Sequence, residues 1–131
     1  MKPFKLGYVG VGLMGGPMVK RLSGLGWSVK GYDIVPERSM VASAAEAARG
    51  ADVVLLNLPT NDAVKDAMFG ADGVASAVGA SQLVVDFSTI PVDECRSHAA
   101  RSVAGGRPAW FTTMVVTGKS FASRAASLIC A

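Results

Sequence analysis

No run of roughly eighteen apolar residues occurs anywhere in the 131-residue chain, which excludes an ordinary membrane-spanning helix. Cysteine is scarce. Cys95 and Cys130 form no metal-ligand spacing and read as two reduced, unrelated thiols, and no metal site is expected. There is one histidine, His98, flanked by Arg96 and Arg101. No serine motif accompanies it, so a hydrolase triad is excluded, and it reads as a solvated helix residue. Acidic residues are missing after Glu94. Residues 1–94 hold eight Lys/Arg and ten Asp/Glu, whereas the remainder holds five Lys/Arg and no acid, giving +3 overall. These late charges are sparse, and only Trp110, Phe111 and Phe121 lie among them, so neither nucleic acid nor membrane is an expected partner. Lys2 and Lys5 precede only a short apolar stretch broken by glycine, which is a poor signal peptide. The expected compartment is the cytoplasm or an organelle matrix.

What the chain does contain is apolar residues, half of the total, arranged as short runs alternating with helical stretches. Strands are expected over 4–11, 27–33, 51–59 and 82–88. Helices are expected over 14–25, 36–43, 43–50, 61–70 and 91–104. In the first helix Met14, Met18, Leu22 and Leu25 share one face, and Pro17 sits in the first turn, where a missing N–H does little harm. Ser43 is a candidate N-cap. Pro91 with Asp93 and Glu94 opens the last helix as its dipole favours. Strand alternating with helix predicts an α/β fold, a Rossmann-like, doubly wound parallel sheet. The near-continuous apolar strands agree, because such strands are buried on both faces. The pattern fades after Gly106, leaving one strand over 110–116. The chain therefore divides into a dinucleotide-binding domain, 1–106, and a degenerate or truncated segment, 107–131.

Five glycines fall within "KLGYVGVGLMGGPM", residues 5–18, although glycine weakens strands and helices alike. Gly10, Gly12 and Gly15 make G-x-G-x-x-G between the first strand and the first helix. Gly10 permits the tight turn, Gly12 lets backbone approach a pyrophosphate, and Gly15 lets helix and strand pack closely. The N–H groups at the helix start then face the phosphates. Val11, Leu13 and Met14 join the phosphate loop through their backbones. Asp33 ends the second strand eighteen residues beyond Gly15, where a carboxylate can accept from both hydroxyls of an adenosine ribose. It also repels a 2′-phosphate, so NAD is expected over NADP. The competing arrangement has Arg38 or Lys30 holding a 2′-phosphate, and a turn acid without a ligand is the plainer alternative for Asp33.

"YVGVGLMGGPM" resembles the signature of the β-hydroxyacid dehydrogenases, the family of 3-hydroxyisobutyrate dehydrogenase, tartronate semialdehyde reductase and, more distantly, 6-phosphogluconate dehydrogenase. "YDIVPE" (32–37), "LNLPTNDAVKDAMFGADGV" (56–74) and "VVDFSTIPV" (84–92) follow in the family's order and spacing, so the resemblance covers residues 4 to about 104. It implies hydride transfer between a dinucleotide and a small 3-hydroxy acid or its semialdehyde. It also implies that Leu58 and Pro59 line the adenosine side of the cofactor and that Ser88 and Thr89 lie by the nicotinamide, with helix capping ahead of Pro91 as the alternative role for the last two.

The chain departs from the family in three places. Val19 and Arg21 replace a small residue and an asparagine, and Ala63 stands where relatives place a cofactor-contacting asparagine. In "WFTTMVVTGK" (110–119), Thr112 and Met114 replace the aspartate and proline of the substrate-carboxylate motif, and Gly118 is the one substrate-binding position kept. Lys119 lies too early to be the family's catalytic lysine, so no residue is assigned as catalytic and the helical catalytic domain is expected to be absent. Truncation or a frameshift near Gly105 each account for this. The chain alone is then expected to be catalytically incompetent, and apolar side chains, Trp110 and Phe111 among them, are expected to be exposed and to favour self-association. A non-catalytic dinucleotide-binding or interaction module and an NADP-dependent reductase are the alternative functions.

Overall fold

The computed structural model describes residues 4–79, 81–105 and 110–113. Among the described residues five strands and four helices alternate: β1 (Lys5–Val9), α1 (Gly15–Gly24), β2 (Ser28–Tyr32), α2 (Ala44–Ala48), β3 (Val53–Leu56), α3 (Asn61–Phe69), β4 (Leu83–Asp86), α4 (Val92–Ala104) and β5 (Trp110–Thr113). Every strand pair is parallel, in the order β2-β1-β3-β4-β5. The expected doubly wound sheet is therefore present, and β5 carries it into the segment beyond residue 106. Its strand lies where 110–116 was expected.

Side chains alternate across the sheet. Leu6, Tyr8 and Val29 pack with Val19 of α1 on one face. Val9, Val54, Leu56 and Val84 pack on the other face with the alanines of α2 and with Val64 and Met68 of α3. Gly7 belongs to this second face. A Cβ there would sit 2.5 Å from the Ala47 carbonyl oxygen, so the bare strand position lets α2 lie directly on β1. Local chemistry sets the helix starts. Ser43 Oγ accepts from Glu46 N at 3.1 Å and caps α2 as expected, and Thr60 Oγ1 accepts from Ala63 N at 3.1 Å and caps α3.

Three local expectations are corrected. Residues 36–43 do not form a helix. Only a 3₁₀ turn, Pro36–Arg38, appears, because Ser39 Oγ takes the Asp33 N–H at 3.2 Å and donates to the Val41 carbonyl at 2.7 Å, while Met40 N donates to Gly31 at 2.8 Å. These bonds hold the segment against the end of β2. Helix α1 forms, but Met14, Met18 and Leu25 face solvent and Gly15 and Val19 face the sheet. His98 is not solvated. It is 2 % exposed, packed edge-on to Phe69 with ring centroids 5.7 Å apart.

Among the described residues no helix is long and apolar enough to cross a membrane, and no cluster of potential metal ligands occurs. Gly118, Lys119, Cys130 and the side chains of Trp110 and Phe111 lie outside the described residues, and with them the expected substrate-binding glycine and exposed aromatic patch.

Candidate functional site: a cleft at the switch point of the sheet

The strand order reverses between β1 and β3, and parallel sheets open a crevice at such a point, outside the carboxyl ends of the strands. A cleft of about 700 Å³ lies there. One wall is the turn after β1. Opposite it stand the loop after β3 and the Ala63–Ala67 face of α3, with the end of β2 closing one side.

The turn is made by its glycines. Gly10 has φ +100°, and a Cβ on it would collide with the Asn57 carbonyl oxygen, so the turn presses against the end of β3. A Cβ on Gly15 would collide with the Gly10 carbonyl oxygen and lie 2.9 Å from the Tyr8 ring. Helix and strand thus meet where no side chain fits. Gly12 is different: a Cβ there would meet only Arg38 Nη1, at an ordinary van der Waals distance of 3.9 Å. The N–H groups of Gly12, Leu13 and Met14 donate to no described residue, whereas the Gly16 N–H returns to the Gly12 carbonyl at 2.8 Å. Three unspent donors beside an open Cα, at the positive end of a helix, fit a dinucleotide's pyrophosphate.

Asp33 reaches the cleft from the end of β2. Its Oδ1 accepts from Val35 N at 2.8 Å, fixing the side chain, and no described residue donates to Oδ2. A carboxylate held by one oxygen and open at the other can accept from a ribose hydroxyl. Lys30 does not compete for a phosphate, because its Nζ donates to the Arg49 carbonyl at 3.0 Å and to that of Glu46 at 3.5 Å. Arg38 does line the cleft.

Of the residues singled out from the sequence, Gly10, Gly12, Leu13, Met14, Gly15, Asp33, Leu58 and Pro59 line this one cavity. Val11, Ser88 and Thr89 do not. Val11 packs over Gly31, where an added Cβ would lie 3.0 Å from its Cγ2. Ser88 is buried, its Oγ accepting from Leu58 N at 2.8 Å, and Thr89 is exposed beside it. Asn57 and Asp66 also line the cleft and were not singled out. Asn57 follows a buried strand and Asp66 lies three residues beyond Ala63 on α3, so strand-end position and helical phase were the available signals. Asn57 Nδ2 donates to Tyr8 Oη at 3.5 Å, and burial holds the Tyr8 phenol above its ordinary pKa of 10.0.

A second polar layer lies under α4. Asp86 is completely buried. Its Oδ1 accepts from Ser88 N at 2.7 Å, and Oδ2 meets no hydrogen-bond donor among the described residues. Burial pushes its carboxyl up from 3.8, against the Ser88 hydrogen bonds and the nearby His98. Burial likewise pushes His98 down from 6.5, with Glu94 Oε2, 3.9 Å from Nε2, opposing it.

The chain is similar to proteins already characterised. Over 94 residues the chain is 35% identical to mitochondrial 3-hydroxyisobutyrate dehydrogenase of Bos taurus, covering 65% of this chain and 28% of that protein. Over 111 residues it is 32% identical to NAD-dependent L-serine dehydrogenase of Pseudomonas aeruginosa, covering 77% and 37%. The chain spans about a third of the length of the curated relatives it matches. The solved structure of Mycobacterium tuberculosis 3-hydroxyisobutyrate dehydrogenase with L-serine superimposes with a TM-score of 0.73 at 32% identity, covering 89% of this chain and 42% of that one. The family model for the NAD binding domain of 6-phosphogluconate dehydrogenase matches residues 5–131, through the glycine turn, both cleft walls and all five strands, and the chain belongs to that family.

Proposed function

We propose that the chain is the NAD-binding part of an oxidoreductase that interconverts a small 3-hydroxy acid and its semialdehyde or ketone by hydride transfer. The observation that carries this reading is the pairing, across one cleft, of three unspent N–H donors at Gly12–Met14 with an open carboxylate oxygen on Asp33. The turn donors hold the pyrophosphate, and Asp33 accepts from the adenosine ribose and disfavours a 2′-phosphate. Leu58 and Pro59 pack along the adenosine side. Ser88 and Thr89, next along the carboxyl edge of the sheet, are assigned to the nicotinamide side. When bound, NAD supplies the hydride acceptor, and the chain's own work is to bind and orient it. No acid–base group is assigned within residues 1–131, and Gly118 is kept as the substrate-carboxylate position. Residues 1–106 are read as the main body of the dinucleotide-binding domain, with β5 of the following segment, 107–131, adding a strand to its sheet. The substrate class rests on relatives named 3-hydroxyisobutyrate dehydrogenase. A cytoplasmic or organelle-matrix location and self-association through exposed apolar side chains complete the proposal.

NADH titration followed by energy transfer from tryptophan tests it. Trp27 sits just before β2, roughly one strand length of about 15 Å from the cleft, within transfer range. Saturable transfer in the micromolar-to-millimolar range is expected, and its absence at millimolar NADH overturns the reading. Asp33→Ala should weaken NADH about tenfold, the size of one charge-assisted hydrogen bond, and NADPH less. Asp33→Asn keeps an acceptor for Val35 N and loses only the charge, so it separates cofactor choice from support of the loop.

A further inference from the structure

We propose that Arg38 is the cation that clamps the cofactor's pyrophosphate against the glycine turn. The inference rests on the dinucleotide reading above and assigns a residue that the glycine motif does not contain.

Among the described residues three charged side chains line the cleft: Asp33, Asp66 and Arg38. The two carboxylates oppose a pyrophosphate dianion, and the turn offers N–H dipoles with no full positive charge. Arg38 is the one cation among the described lining residues, and no described carboxylate lies within ion-pair distance of it. Its guanidinium does not stop at Asp33. Nη1 reaches to 3.9 Å from the point where a Cβ on Gly12 would stand, over the glycine of the G-x-G-x-x-G turn that no backbone atom crowds. A phosphate on that Cα meets unspent N–H groups on one side and a planar set of N–H donors on the other.

The base of the side chain is fixed. Pro36 starts the 3₁₀ turn, Arg38 N donates to the Val35 carbonyl at 3.0 Å, and Asp33 Oδ1 holds Val35 N at 2.8 Å. The loop that presents the ribose acceptor therefore also presents the clamp. Asp33 at the ribose position repels a 2′-phosphate, which leaves the pyrophosphate as the anion within reach of Arg38.

The experiment measures dissociation constants of NADH, ADP, adenosine and 2′,5′-ADP for the full chain, Arg38→Gln and Arg38→Lys at fixed ionic strength, with NADH and ADP repeated across a salt series. Arg38→Gln should weaken NADH and ADP about tenfold each, flatten their salt dependence and leave adenosine within about twofold. Arg38→Lys should recover part of the loss, because it keeps the charge without the planar fork. Unchanged NADH and ADP binding in Arg38→Gln overturns the assignment. So does an equal loss for adenosine, which makes Arg38 a support of the loop, and so does a loss confined to 2′,5′-ADP, which makes it a 2′-phosphate reader. If the unsubstituted chain binds neither NADH nor ADP, the dinucleotide reading fails and the clamp with it. If it binds both and the variants match it, the clamp alone fails.

Discussion

The turn after β1 and the loop after β4 leave the same edge of the sheet and are built from opposite materials. The first is glycine and backbone. Its N–H groups at Gly12, Leu13 and Met14 are unspent, and its bare Cα at Gly12 faces the cleft. The second is made of buried polar side chains spent on neighbours. Asp86 Oδ1 holds Ser88 N, Ser88 Oγ holds Leu58 N, and both residues are sealed from solvent. A strand-end loop keeps its donors for a ligand only where its shape is enforced by something else, here by contacts too close for a Cβ at Gly10 and Gly15. Where side chains enforce the shape, the oxygens that do so, Asp86 Oδ1 and Ser88 Oγ, are spent on backbone N–H groups.

The largest expected effect sets two glycines of the first turn against each other. Gly10→Ala puts a Cβ at positive φ and into the Asn57 carbonyl, so unfolding free energy should fall by roughly 3 kcal/mol or more, combining backbone strain with overpacking. Gly12→Ala should leave the urea midpoint where it is, because its Cβ makes only an ordinary van der Waals contact with the flexible Arg38 side chain, yet weaken NADH at least about tenfold by obstructing the phosphate. Equal destabilisation by both substitutions would erase the distinction between shape-keeping and ligand-facing glycines.

Next in size is Ser88→Ala in the second loop. It strands the Leu58 N–H, for which about 1–3 kcal/mol of stability should be lost. Urea unfolding reads that loss. An unchanged midpoint would mean that the loop after β4 is not held by its side chains, and the contrast with the glycine turn would fall.

The smallest effect is a pH dependence. The Asp86 carboxyl is raised in the folded chain by burial. Below its ordinary pKa of 3.8 both states are protonated and its contribution is complete. As pH rises from there toward the folded pKa, the unfolded chain ionises first and stability drains away. Asp86→Asn removes this dependence while keeping the acceptor for Ser88 N, so the stability difference between the variant and the parent should move in the variant's favour with rising pH. His98, lowered by burial against the opposing pull of Glu94, acts in the opposite sense, with its contribution lost as pH falls below 6.5. A difference curve flat from about pH 4 to 7 would show that Asp86 is ionised in the folded state.

How much of this could be read beforehand follows the range of each constraint. Gly10 and Gly15 were legible because each answers to backbone within a few residues or to the adjoining strand, and Gly12 because it stands at a fixed spacing between them. Asp33 was legible because the end of a parallel strand near the turn is a fixed address. The inward face of α1 was not. Hydrophobic spacing chose Met14, Met18, Leu22 and Leu25; Leu22 packs against the sheet, and the other three face solvent. Gly15 must meet the Gly10 carbonyl, and once it points inward Val19 follows it four residues on. Spacing counts apolar residues and is blind to a position whose requirement is to be small.

The sequence by itself determined the order of the strands, the parallel sheet, the glycine turn and the acid at the end of β2, because periodicity, glycine and strand-end placement act locally. Tertiary structure decided the rest. It buried His98, since only the phase of α4 against Phe69 and the sheet makes that side inward. It replaced the helix expected over 36–43 with a 3₁₀ turn and a strand-hugging segment, because Ser39 and Met40 bond to the end of β2. By bending the chain there it carried Arg38 over Gly12, twenty-six residues away in sequence, where no spacing rule would have put it.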